Sequence, residues 1–202
     1  MKLIVISAEK VIPQEAQILN ILFEEDLPVL HLRKPLASKQ ETADLLNCIS
    51  PLYHNRIILH DYFELAHQYN IRGIHLNQRN ISIPPDIGLI HISRSCHSLK
   101  EIEEISGYQY VFLSPIFDSI SKIGYMRGFS TRELEDAQNK GIINEKIIAL
   151  GGISPDNIPV VANYGFGGVA VLGTLWNPFL IDRDIESLLQ RFKQLKTICD
   201  TL

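Results

Sequence analysis

Residues 146–173, KIIALGGISPDNIPVVANYGFGGVAVLG, predict the strand–loop–helix–strand unit around which the rest of the chain is organised. Residues 147–150 form a continuous apolar run, which is typical of a strand buried on both faces. After two glycines, Ser154 is predicted as an N-cap, followed by a proline at the first helical position. The helix is predicted over residues 157–163, and residues 168–172 form the next strand.

Small residues stand at the carboxyl ends of both strands in this stretch. Gly151 and Gly152 follow the first strand, and Gly173 and Thr174 follow the second. Glycine allows a sharp turn or a close approach of the backbone to a ligand, and the amides at a helix start attract anions. One such loop is equally well explained as a tight turn, but two neighbouring loops favour a phosphate-binding site.

The same unit recurs along the 202 residues of the chain. The predicted strands are residues 3–6, 29–32, 56–59, 73–76, 89–92, 110–113, 147–150 and 168–172. The predicted helices are residues 13–25, 38–49, 61–69, 98–105, 131–140, 157–163 and 181–198. Eight strands alternating with helices predict a parallel α/β sheet, and in so short a chain they close more naturally into a TIM barrel than into an open doubly wound sheet. We therefore expect a single (β/α)8 barrel domain over residues 1–202.

Composition excludes several classes of protein. Hydrophobic residues make up 46% of the chain and charged residues 21%, which predicts a sizeable core. The formal net charge of -4 and the lack of a basic block argue against a nucleic-acid partner. No apolar run approaches the length of a membrane span. Three cysteines without ligand spacing fit reduced thiols, and we expect a cytoplasmic protein.

Polar residues follow the predicted strands, where TIM barrels carry their chemistry. They are Ser7, His31, Arg33, His60, Asp61, His75, Asn77, Gln78, Ser93, Arg94, Ser95 and Ser114. Arg33 could bind a phosphate or pyrophosphate through two hydrogen bonds, or could form a salt bridge at the rim of the barrel. The long loop after the sixth strand adds Ser119, Ser121 and Lys122, which suit an anion but also suit a solvated surface loop.

Several motifs together resemble a known family. They are LHLRKP (30–35), ILHD (58–61), RGIHLNQ (72–78), SRSCHS (93–98), FLSPIFDSISK (112–122) and IALGGIS (148–154). They look like the landmarks of the thiamine phosphate synthase family, whose superfamily includes the closely related thiazole tautomerases. The resemblance covers nearly the whole chain in the correct order. The glycine loop is common to many barrels, whereas the combination of the other motifs is specific.

The resemblance implies a TIM barrel and a transferase of thiamine biosynthesis. Its synthases join hydroxymethylpyrimidine pyrophosphate to hydroxyethylthiazole phosphate, giving thiamine monophosphate and pyrophosphate, with Mg²⁺ and cationic donors stabilising the leaving group. Matched motif positions imply catalytic roles for Arg33, Ser95 and Lys122, and a metal ligand at Asp61. They imply substrate binding by His31, Lys34, His60, His75, Ser119, Ser121, Gly151, Gly152, Gly173 and Thr174.

Four positions depart from the family pattern. His31 replaces a glutamine, and Pro35 replaces a lysine, with Lys34 one place early. His60 replaces an asparagine, and Asn80 stands where the family has its second metal-binding aspartate. Mg²⁺ can bind through one carboxylate plus substrate phosphates, so these changes predict a weakened metal site.

Two alternatives to the synthase stay open. A thiazole phosphate tautomerase needs no metal, but that group's catalytic histidine lies after the sixth strand, where this chain has Ser114; His31, His60 or His75 could replace it. A non-catalytic paralogue could bind a phosphorylated thiazole without turnover. Four aromatic residues in or beside loops could cover the barrel mouth or form a homo-oligomer interface: Phe117, Phe129, Trp176 and Phe179.

Overall fold

A computed structural model describes residues 1–88, 90–103, 105–118 and 128–202. Its eight described strands follow one another in chain order around a closed parallel barrel, which confirms the predicted (β/α)8 fold. They are β1 (Lys2–Ile6), β2 (Leu30–Leu32), β3 (Ile57–Leu59), β4 (Gly73–Leu76), β5 (His91–Cys96), β6 (Tyr110–Leu113), β7 (Ile147–Leu150) and β8 (Gly168–Val171). Their apolar runs are almost wholly buried, as expected of strands covered on both faces.

Among the described residues, helices follow all of these strands except β4. They are α1 (Glu15–Glu24), α2 (Lys39–Cys48), α3 (Leu65–Gln68), α4 (Leu99–Ile102), α5 (Thr131–Asn139), α6 (Ile158–Asn163), α7 (Gly173–Asp182) and α8 (Ile185–Asp200), with a 3₁₀ turn at Pro51–Arg56. Ser38 begins α2 with a capping box, because its hydroxyl accepts from the Glu41 amide and the Glu41 carboxylate accepts from the Ser38 amide.

The α5 helix begins at the predicted residue, where Ser130 caps it in a capping box with Glu133. Two other helices differ from the prediction. The N-cap of α6 is Asn157, not Ser154, and the Asn157 side chain instead bonds to the Ser154 amide and the Gly152 carbonyl. The predicted final helix, residues 181–198, is observed as α8, and an additional helix, α7, precedes it. Arg183 adopts a left-handed conformation that ends α7, so α8 begins only at Ile185.

Strand β5 is longer and later than predicted. The apolar pattern suggested residues 89–92, of which residue 89 lies outside the described residues, but the strand continues through polar residues to Cys96. The amide of Ser114 donates to the Cys96 carbonyl at 3.1 Å, which extends the ladder. Ser93, Arg94 and Ser95 therefore lie within β5 rather than after it.

The contacts of the chain divide it into two compact units, Val5–Ser93 and Arg94–Leu202 with Met1–Ile4, so the single domain over residues 1–202 stays a prediction. In the second unit Trp176, Phe179 and Phe129 are buried. Their burial removes most of the aromatic set that had suggested an interface. In the described part of the chain, no helix has the length and apolar character needed to span a membrane.

Candidate active site

Three histidines form a compact cluster in the Val5–Ser93 unit. His31 lies in β2, His60 follows β3 and His75 lies in β4, and all three are buried. The His31 Nδ1 and His60 Nε2 atoms are 2.8 Å apart, and the His60 and His75 rings stack with centroids 4.2 Å apart. His75 Nδ1 also lies 2.8 Å from the hydroxyl of Ser93. The structure therefore brings together three residues predicted separately from strand ends.

Burial keeps these imidazoles neutral. It is the main cause that lowers the pKa of His31 and His60 well below the usual value, and it lowers the pKa of His75 to about 3. Nearby positive charge adds to the effect, including Arg33 on His60 and His75. A neutral imidazole offers one donor and one acceptor, so the cluster can hydrogen-bond a neutral polar ring.

The nitrogens of the cluster are also near enough to one another to hold a metal ion. Two observations favour hydrogen bonding instead. The stacked rings of His60 and His75 are only 18° from parallel. The lone pairs of imidazole nitrogens lie in the plane of the ring, so the nitrogens of two nearly parallel, stacked rings cannot both point at one metal ion. The His31–His60 contact is a hydrogen bond that uses one nitrogen of each ring.

Lys34 serves the fold rather than the substrate. Its ammonium is buried and donates to the Ala8 and Lys10 carbonyls, at 2.7 and 2.9 Å, and to Glu15 Oε1 at 2.5 Å. An ammonium has three protons, and these three bonds use all of them. This geometry does not support the predicted contact between Lys34 and substrate. The sequence did not predict this ion pair, because an acidic residue in the first turn of a helix, such as Glu15, is common and is usually exposed.

Arg33 keeps a position suited to an anion. Its Nη1 atom donates to Glu9 Oε1 at 2.6 Å, and its side chain remains partly exposed. The Ser7 hydroxyl accepts from the Arg33 amide at 2.9 Å, which fixes the backbone at the end of β2. The rim salt bridge considered from the sequence is present, and it anchors the guanidinium without using all five of its N–H groups.

Asp61 is surrounded by donors. Its Oδ2 atom accepts from the Lys34 amide, and its Oδ1 atom accepts from Arg79 Nε and Nη2 and from Asn80 Nδ2, at distances of 3.0 to 3.3 Å. Arg79 was not predicted as a site residue. The sequence offered one signal for Arg79, which is its position next to Asn80, where the neutral asparagine replaces the negatively charged aspartate of the family.

The residues at Asp61 do not fit a magnesium ion held by the protein. Mg²⁺ requires oxygen ligands in octahedral geometry. Of the two predicted ligand positions, Asp61 supplies a carboxylate and Asn80 turns its amide nitrogen toward it. A guanidinium already neutralises the carboxylate at 3.0 Å. The groups around Asp61 are N–H hydrogen-bond donors, as in an ion pair, rather than further oxygen ligands for a metal ion.

Gly151 and Gly152 lie in the other unit and adopt left-handed conformations, with φ of 98° and 63°. A Cβ atom on Gly152 would lie 2.3 Å from the Asp118 carbonyl oxygen, and one on Gly151 would lie 2.8 Å from Pro115 Cα. The loop after β6 thus packs directly on both glycines. Tight turning and close packing account for these residues, and phosphate binding there stays a prediction.

Gly173 and Thr174 form the first turn of α7, where backbone amides lack helical partners. The Thr174 hydroxyl donates to the Ile153 carbonyl, which ties this turn to the loop after β7. Ser95 is half-buried in β5 of the same unit. Ser119, Ser121 and Lys122 lie outside the described residues, so their predicted roles stay predictions.

Comparisons with known proteins agree with the sequence motifs. The model of the thiamine monophosphate synthase family, TMP-TENI, matches residues 3–175. A thiamine-phosphate synthase of Levilactobacillus brevis is 28% identical over 145 residues, which are 68% of this chain and just under two thirds (66%) of the relative. One from Listeria innocua is 30% identical over 148 residues, covering 70% of this chain and 67% of the relative.

Solved structures extend the similarity to nearly the whole chain. A thiamine phosphate pyrophosphorylase from Bacteroides thetaiotaomicron is 42% identical, with a TM-score of 0.88 over 98% of this chain and 97% of that one. A protein of the same description from Pyrococcus furiosus, 20% identical with a TM-score of 0.75, shows the shared fold. With a family match over most of its length, the chain belongs to the thiamine monophosphate synthase family.

Proposed function

We propose that the protein is a thiamine phosphate synthase acting on a pyrimidine pyrophosphate and a thiazole phosphate. The observation that carries this proposal is the 42% identity to the Bacteroides thiamine phosphate pyrophosphorylase over 98% of the chain. The free cysteines and the biosynthetic reaction support a cytoplasmic location.

In the proposed reaction, the bond between the pyrimidine methylene carbon and the pyrophosphate oxygen breaks, and pyrophosphate leaves with the electron pair. The thiazole nitrogen forms the new bond to that carbon. Arg33, held by Glu9, would neutralise charge that accumulates on the leaving group, together with Lys122. The neutral histidine cluster would hydrogen-bond the pyrimidine, and Gly151, Gly152, Gly173 and Thr174 would receive the thiazole phosphate.

One observation favours a second candidate, the thiazole phosphate tautomerase. His97 Nδ1 lies 3.2 Å from the Ser114 carbonyl oxygen and 3.3 Å from the Ser114 hydroxyl. An imidazole therefore stands beside the position after β6 where the resemblance places the tautomerase histidine. His97 is exposed, so its imidazole is accessible, and histidine is the side chain used most often as a general base.

Both candidates are tested by supplying the purified protein with the two phosphorylated substrates and following thiamine phosphate. We expect product that depends on both substrates. Arg33→Ala should lower kcat/KM strongly, whereas Arg132→Ala, at an exposed helix position, should leave it unchanged. Isomerisation of the thiazole phosphate without coupling, abolished in His97→Gln, would establish the tautomerase instead. Thiazole phosphate binding with neither reaction would identify a non-catalytic paralogue.

A further inference from the structure

Arg79 forms two hydrogen bonds with the carboxylate of Asp61, which fix the position of its guanidinium group. Its Nε and Nη2 atoms both donate to Asp61 Oδ1, at 3.3 and 3.0 Å. The Asp61 side chain is only 12% exposed, whereas that of Arg79 is 44% exposed. A largely buried carboxylate therefore anchors one edge of the guanidinium of a side chain that is itself nearly half exposed.

The turn that carries Arg79 is itself fixed to the end of β3. Asn77 and Asn80 exchange backbone hydrogen bonds of 3.0 Å, and the Asn77 side chain accepts from the Arg79 amide at 3.0 Å. The side-chain amides of Asn77 and Asn80 both donate to the His60 carbonyl at 2.9 Å. Four residues thus position one arginine, which is more structure than an isolated surface ion pair requires.

The arginine keeps donors for a ligand. A guanidinium has five N–H groups, and the bonds to Asp61 use two of them. Among the residues that the structure describes, the other three have no hydrogen-bond partner. Asp61, which holds Arg79 at 3.0 Å, also accepts from the Lys34 amide at 3.2 Å through its Oδ2 atom. The carboxylate that anchors Arg79 therefore contacts the residue that follows Arg33, so both arginines belong to the same part of the Val5–Ser93 unit.

We propose that Arg79 is an anion-binding residue which, with Arg33, binds the pyrophosphate group through protein cations instead of a magnesium ion held by the protein. The proposal rests on the proposed function for the identity of this anion. It explains why Asn80 carries no charge, since an aspartate there would add a second negative charge beside Asp61 for one guanidinium to balance.

Calorimetric titration of inorganic pyrophosphate into the full chain, with EDTA present, tests this role. We expect wild-type protein to bind without added Mg²⁺, and Arg79→Gln to lose roughly 10- to 100-fold in affinity. Arg79→Lys should recover part of the loss, because it keeps the charge but not the forked geometry. Arg132→Gln serves as the matched control and should bind like wild type. Thermal melts establish that each variant is folded.

A second variant addresses the metal directly. Arg79→Gln combined with Asn80→Asp should restore pyrophosphate binding when Mg²⁺ is added in excess, and only then, because two carboxylates replace the ion pair. Wild-type binding that requires Mg²⁺, no wild-type binding at all, or unchanged binding by Arg79→Gln would each overturn the proposal. Thiamine phosphate formation by wild-type protein, measured alongside, separates this failure from failure of the proposed function. Arg79-dependent pyrophosphate binding without synthesis would retain the site and reject the synthase.

Discussion

Lys34 and Glu15 form an ion pair in which both side chains are fully buried, although they are 19 positions apart in the sequence. Burial lowers the pKa of Lys34 and raises that of Glu15, while their mutual attraction opposes both shifts. Glu15 also accepts from the Ile12 amide, so the pair ties the segment after β1 to the end of β2. At the scale of single residues, a side chain predicted to bind substrate instead stabilises the segment that carries Arg33.

Lys34→Met should destabilise the protein by about 3–5 kcal/mol, because it leaves Glu15 buried without its partner. Lys34→Met combined with Glu15→Gln should be more stable than Lys34→Met alone, since no charge is then left unpaired. Urea unfolding measures both differences. Lys39→Met is the control, because Lys39 and Glu64 form an exposed pair and its loss should cost about 0–1 kcal/mol. A loss of similar size in Lys34→Met would show that the buried pair contributes little.

The loop between β7 and α6 shows how one element depends on its neighbour. Gly151 and Gly152 give it a left-handed backbone, and Asn157 closes it through the Gly152 carbonyl. The loop after β6 then packs where side chains would otherwise be. The glycines predicted to receive a phosphate thus also have a packing role, which any test of binding must separate from stability.

Gly152→Ala should lower the free energy of unfolding more than Gly165→Ala does. The difference between the two variants measures the cost of the steric clash at residue 152. Both glycines have positive φ, 63° and 79°, so both variants carry a backbone strain of about 1–2 kcal/mol. Only the Cβ atom at residue 152 meets a neighbour, the Asp118 carbonyl oxygen at 2.3 Å, which should add about 1–3 kcal/mol. Equal unfolding free energies for the two variants would mean that the loop after β6 moves aside at no cost.

The stability of the whole molecule depends on keeping three imidazoles neutral. The pKa values of His31, His60 and His75 are all lowered in the folded protein from the usual 6.5, that of His75 to about 3. The unfolded chain therefore binds more protons than the folded chain as pH falls below about 6.5. Stability supplied by these residues is present above that pH and is lost progressively toward the folded pKa values.

Between pH 7.5 and 5.5, His75 should remove about 1.4 kcal/mol of unfolding free energy, and His31 and His60 should lower it in the same direction. His75→Gln should lose about 1.4 kcal/mol less than wild type over the same interval. His67→Gln, at an exposed position, controls for a histidine outside the cluster and should keep the larger loss. Denaturant unfolding at the two pH values gives the comparison. The same pH dependence in wild type and His75→Gln would show that His75 titrates normally.

The apolar pattern and the order of the motifs were sufficient to predict the barrel and the family. Strands β6 and β7 were predicted with their observed bounds, because continuous apolar runs indicate burial on both faces. The motifs identified the family because each is a short contiguous stretch, so the motifs and their order can be recognised without knowing which residues are in contact. Local signals failed at two places. Asn157 takes the N-cap position for which Ser154 was predicted, and Arg183 ends α7 in a left-handed conformation that usually signals itself by a glycine.

Which charged side chains remain available for chemistry depends on contacts between distant parts of the chain. Lys34 and Arg79 looked alike in the sequence as cations near strand ends, yet one is buried on Glu15 and the other is anchored by Asp61, 18 positions away, with donors left over. Burial and ion pairing depend on segments that folding brings together, so they cannot be predicted from a short stretch of sequence. The availability of a cation is set by its desolvation and its partners, and both exist only in the folded chain.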